Sequence, residues 1–158
     1  MIGQETKSHH RGNDSTFYQP PTANQLRHYL KQMPEDFEMC FKVWEKLTIP
    51  VYAKQPRYGV KAGQTNARFL DAQVFKDFVL APNREAKFEP HTGPFIFEFQ
   101  RHGMSTEEFC SRLDGFFGEL PKDFRYALSQ LSWWPTGSAC ETAKSSISPG
   151  TAWTVNGA

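Results

Sequence analysis

Hydrophobic positions along the chain switch between helical and extended spacing, and the clearest stretch is 93–100, GPFIFEFQ. Phe95, Phe97 and Phe99 fall on one face of an extended segment, with Ile96, Glu98 and Gln100 on the other. An acid and an amide on the second face suit two arrangements: a half-exposed antiparallel strand, or a strand whose polar face points into a barrel or cleft. Helical patterns on both sides favour the latter, a β/α unit in a mostly parallel sheet.

The remaining elements follow in order. Residues 1–14 are polar and aperiodic and read as a disordered start. Residues 15–18 are short and β-prone, and Pro20-Pro21 stops any ladder there. Thr22 then caps a helix, with Gln25 at the capping-box position and Leu26, Tyr29, Leu30 and Met33 along one face. Pro34 ends it. Residues 37–43 alternate as a strand, with Phe37, Met39, Phe41 and Val43 opposite Lys42. Residues 46–68 read as a long loop, of a length that in compact domains is often used for binding. Asp71 caps a helix carrying Val74, Phe75, Phe78 and Val79, which Pro82 closes. Ser105 with Glu108 opens a helix that buries Phe109, Leu113, Phe116, Phe117 and Leu120, and 124–128 reads as a last strand. Strands alternating with helices predict a parallel, helix-wound sheet. The turn Pro-x-Asp-Phe occurs at 34–37 and again at 121–124, so both helix-to-strand junctions are expected on one rim.

Composition narrows the class. A chain of 158 residues suffices for one domain with a sizeable core. Aromatics at 15%, including 14 Phe, supply much of the apolar burial in a chain that reads as soluble and globular. A formal net charge of +1 leaves no overall footprint for nucleic acid or an anionic membrane. No apolar run approaches the ~20 residues of a membrane span. Cys40, Cys110 and Cys140 are too widely spaced for a zinc or redox pair and read as buried reduced thiols. The first residues carry no secretory signal, so a cytoplasmic location is expected.

No metal site is expected. His9-His10 lack a converging third ligand. His91 and His102 flank the 93–100 strand, about 30 Å apart if the segment is extended. There is no P-loop, GxGxxG or GxSxG motif, and no cofactor is specified.

Several stretches together resemble one family. They are STFY at 15–18, PEDFEMCFKV at 34–43, RFLDAQVFKDFVLAP at 68–82, GPFIFEFQ at 93–100 and FCSRLDGFFGELPKDFRYAL at 109–128. In this order and spacing they resemble the YecE-like family, known as domain of unknown function 72. Gly12 and Asp14 stand where that family has Glu and Asn. Ser129-Gln130-Leu131 replaces the family's Glu and Arg, leaving 129–158, with Trp133, Trp134 and Trp153, as a tail outside the pattern. The resemblance implies an α/β fold: a partial TIM-type (β/α) barrel of about four parallel strands over 15–128. A complete barrel takes eight strands and about 250 residues. The chain is therefore expected to be a truncated member, or a short variant able to self-associate through open sheet edges.

In that fold functional groups sit at the carboxyl ends of the strands. The rule points to Thr16, Tyr18, Lys42, Glu98 and Gln100, all at positions that match the family. Lys42 and Glu98 are the candidate catalytic pair. Lys42 suits an anionic group as a point charge, and Glu98 either acts as a general acid or base or forms a structural ion pair with Lys42. Thr16, Tyr18 and Gln100 are candidate substrate contacts, although a tyrosine such as Tyr18 is more often a core aromatic with its hydroxyl satisfied. The expected function of the intact form is enzymatic work on a polar or anionic small molecule. The alternative is a non-catalytic binding protein, for single-stranded nucleic acid through loop 46–68 or for a protein partner, or a gene fragment without function.

Overall fold

The computed structural model describes residues 10–100 and 103–129. Its centre is a parallel sheet of β1 (His10–Asn13), β2 (Glu38–Lys42), β3 (Thr92–Phe97) and β4 (Tyr126–Leu128), in the spatial order β1-β2-β3-β4. The class expected from the sequence, an α/β protein with a parallel sheet, is the class observed. Helices join the strands: α1 (Ala23–Leu30), short α2 (Glu45–Thr48), α3 (Ala72–Phe75) continuing into α4 (Ala81–Glu85), and α5 (Thr106–Glu119).

One apolar layer holds sheet and helices together. Phe41 from β2 and Phe95 and Phe97 from β3 pack with Leu26 of α1, Phe75 of α3, and Phe116 and Phe117 of α5 in one buried cluster. Phe75 is its hub, with ring centroids 5.6 Å from Phe95 and Phe97 and 5.8 Å from Phe116. The alternation read at 93–100 therefore points its phenylalanines at the helices. Lys42, Ile96 and Glu98, at the intervening positions, are only partly buried.

β3 carries Pro94 in the interior of the sheet, where a missing N–H should break the ladder. A bulge absorbs it. Met39 pairs with Thr92 and Phe41 with Phe95, so Gly93 and Pro94 together oppose Cys40. Gly93 is needed there, because a Cβ on it would sit 3.0 Å from Cys40 Sγ and 3.1 Å from the Met39 carbonyl oxygen.

The helix caps form as read. Thr22 Oγ1 accepts from the Gln25 N–H while Gln25 Oε1 accepts from the Thr22 N–H, and Asp71 and Ser105 cap their helices in the same way from the side chain. Pro82 does not close its helix. A π-helical turn, Lys76–Leu80, widens the backbone just before it, and the helix runs on to Glu85. Two other expectations are corrected. Residues 15–18 lie at a 3-10 turn, Asp14–Phe17, and the neighbouring strand is β1, inside the stretch read as a disordered start. The 46–68 loop is not structureless either, since it holds most of α2 and a 3-10 segment, Pro56–Lys61.

The two Pro-x-Asp-Phe turns do share a rim, leading into the amino ends of β2 and β4. Arg125 spans that rim, pairing with Glu38 at 2.6 Å and donating to the Thr92 carbonyl. Cys40 is buried and free, whereas Cys110 is disulfide-bonded, which departs from three reduced thiols. His9, His102 and, beyond Ser129, the tail fall outside the described residues. No described helix is long and apolar enough to cross a membrane.

Candidate functional site

Parallel pairing brings the carboxyl ends of β1, β2 and β3 to one rim. Lys42 is the last residue of β2, and Glu98 follows the last residue of β3. Lys42 is in register with Ile96, and the Val43 N–H donates to the Ile96 carbonyl at 2.8 Å, so the ladder continues past the end of β2. That register delivers Lys42 Nζ to 2.6 Å from Glu98 Oε2. The pair expected from the sequence is formed. Its side chains are 28% and 43% exposed, so the pair is partly open to solvent.

The turn after β1 holds Lys42 from the other side. Lys42 Nζ lies 5.1 Å from the Phe17 ring centroid, and Thr16 Oγ1 donates to the Lys42 carbonyl at 2.7 Å. Thr16 is buried, so its hydroxyl braces the end of β2. Tyr18 is not a core aromatic. It is 60% exposed, with its carbonyl accepting from Trp44 Nε1 at 2.9 Å. Gln100 is exposed beyond the end of β3, and among the described residues no hydrogen bond ties it to the pair. The space under Thr16, lined also by Asn83 and Trp44, measures about 10 Å³. It has room for a single water.

A second group on this rim was not singled out by residue in the sequence. Arg57 stacks over Tyr18 and Tyr58 and lies 3.4 Å from Glu45, while the Tyr58 hydroxyl donates to Glu45 at 3.0 Å. Burial and then the Glu45 hydrogen bond push the Tyr58 hydroxyl above its ordinary pKa. Buried Asn66 fixes the loop that carries Arg57, donating to the Lys46 and Ile49 carbonyls at 2.7 Å and accepting from Tyr52 at 3.1 Å. The sequence signal was the mixture of basic and aromatic residues in 46–68, which has no period to place its members. Among the described residues no three His, Cys, Asp or Glu side chains gather to hold a metal.

The sequence profile of the family described as protein of unknown function DUF72 matches residues 12–145. The chain belongs to the DUF72 family. The match continues beyond Leu128, where the likeness read from the sequence ended. Two crystal structures of a DUF72 family protein from Enterococcus faecalis V583 are similar in fold. The one at 3.10 Å resolution has a TM-score of 0.51 at 18% identity over 80% of this chain, and the one at 2.52 Å has 0.50 at 17% over 87%. The chain spans 42% and 51% of the length of those two chains. No curated protein matches it.

Proposed function

We propose that this DUF72 chain forms an arc of a (β/α) barrel whose carboxyl-end rim binds a polar or anionic small molecule at Lys42 and Glu98. The observation that carries this reading is the 2.6 Å pair itself, made by the ends of two neighbouring parallel strands and left partly open to solvent. In β/α folds that edge is where ligands sit, and the argument from fold to function is by analogy. Lys42 supplies the positive charge, and Glu98, released when an anion takes Lys42, becomes the acid or base. Thr16 positions the end of β2. Tyr18 stands on the same rim as a contact for the outer part of the ligand, and Gln100 as a more distant one. Catalysis belongs, on this reading, to the longer form of the barrel.

The test is calorimetric titration of the chain with inorganic phosphate and with malonate. Saturable binding that Lys42→Met abolishes supports the site. Absence of binding by both anions, or binding that Lys42→Met leaves unchanged, overturns it.

A further inference from the structure

The connection that leaves the carboxyl end of β2 is strongly basic. Between 42 and 68 stand Lys42, Lys46, Lys54, Arg57, Lys61 and Arg68 against a single acid, Glu45. The formal net charge of +1 averages this excess over the whole chain and conceals it.

The cations there are interleaved with rings. Lys46 Nζ lies 4.6 Å from the Trp44 ring centroid, and the Arg57 guanidinium carbon lies 5.7 Å from the Tyr18 centroid and 4.5 Å from that of Tyr58. Beside them runs a groove of about 380 Å³, walled by Tyr18, Pro20, Pro21, Trp44 and Phe78 with Lys46 among its lining. Two of its rings are open to solvent, Tyr18 at 60% and Phe78 at 48% exposure. Asp77 is the one carboxylate in the lining.

We propose that this groove takes a base of a single-stranded nucleic acid, with the flanking phosphates on Lys46 and Arg57. Flat apolar walls beside cations match the alternation of base and phosphate along a strand. The groove is large enough for a nucleoside, and its exposed rings offer faces for stacking. The strand must be single, because a stacked base has to be splayed out of any duplex. Asp77 repels phosphate, so the backbone follows the Lys46 and Arg57 side. Glu45 already engages Arg57, and a phosphate displaces part of that contact. The site rests on Lys46, Arg57, Phe78 and Tyr18 and shares only Tyr18 with the small-molecule reading, which rests on Lys42 and Glu98, so either can fail alone.

The experiment is fluorescence anisotropy of a labelled oligo-dT of about 12 nucleotides, titrated with the full chain over a range of salt. Binding at low salt is expected, weakening as salt rises. Lys46→Ala with Arg57→Ala removes two phosphate contacts and flattens the log–log salt slope by about 1.4. Tyr18→Ala weakens binding by roughly ten-fold without changing the slope, and Tyr18→Phe, which keeps the ring, restores it. Lys31→Ala, on the opposite rim, leaves binding intact. Three results each overturn the proposal: no binding at low salt, equal affinity for a duplex of the same length, or binding indifferent to Tyr18→Ala.

Discussion

Thr16 Oγ1 donates to the main-chain carbonyl of Lys42 at 2.7 Å, tying the turn after β1 to the carboxyl end of β2. A buried hydroxyl whose partner lies 26 residues away acts as a strut. Thr16→Val keeps the shape, removes the donor and leaves the carbonyl short of a partner. A loss of about 1–3 kcal/mol is expected in urea denaturation, and Thr16→Ser should recover most of it. No loss in Thr16→Val together with a loss in Thr16→Ser would show that the methyl group matters and the hydroxyl does not.

The Lys42–Glu98 pair should behave in the opposite way. Both side chains are partly solvated, so the pair stabilises the fold by only about 0.2–1 kcal/mol. A double-mutant cycle with Lys42→Met and Glu98→Gln, read by urea midpoint, is expected to give a coupling in that range. Lys42→Met should also abolish anion binding, whereas Glu98→Gln, which removes the carboxylate that competes for Lys42, should leave it intact or tighten it. A pair costing several kcal/mol to break would belong to the scaffold and not to a site.

Phe75 packs among rings of the sheet and of α5. It is fully buried, against Phe95, Phe97, Phe116 and Tyr126. Phe75→Ala is expected to destabilise the chain by about 3–5 kcal/mol, and Phe75→Leu by visibly less. Thermal denaturation of both variants checks this.

Stability should fall in alkali. Burial, and secondarily the charge of Asp123, raise the Tyr126 hydroxyl well above its ordinary pKa of 10.0, and burial raises Tyr52 and Tyr58 in the same sense. The folded chain thus holds these protons more tightly than the unfolded one. Stability is flat with respect to them below the unfolded value of about 10 and declines as pH climbs from there through the folded values. Tyr126→Phe removes part of that alkaline decline. It also removes the 2.8 Å hydrogen bond to the Pro121 carbonyl, worth about 1 kcal/mol at neutral pH. Urea midpoints at about pH 8 and about pH 11 for both proteins separate the two effects.

What could be read from the chain beforehand was whatever a short-range pattern encodes. The caps at Thr22, Asp71 and Ser105, the buried phenylalanines of β3 and the meeting of Lys42 with Glu98 all follow from local spacing combined with a parallel sheet. β1 has no such pattern, for HRGN holds no apolar residue and owes its pairing to the strand beside it. Pro82 misled for a different reason: its usual effect on a helix is offset by the π-helical turn, which nothing in the local sequence announces. The stacking of Arg57 on Tyr18 joins residues from separate segments, and only the fold brings them together.

The strands lie across the sheet in the order in which they occur along the chain. During synthesis each new strand therefore emerges when the edge it must join has already been made. β2 can dock on β1 before β3 exists, and β3 on β2 before α5 has left the ribosome. Such a sheet grows by accretion from its amino-terminal side, and none of the four described strands has to wait for a distant partner or insert between two that have already paired.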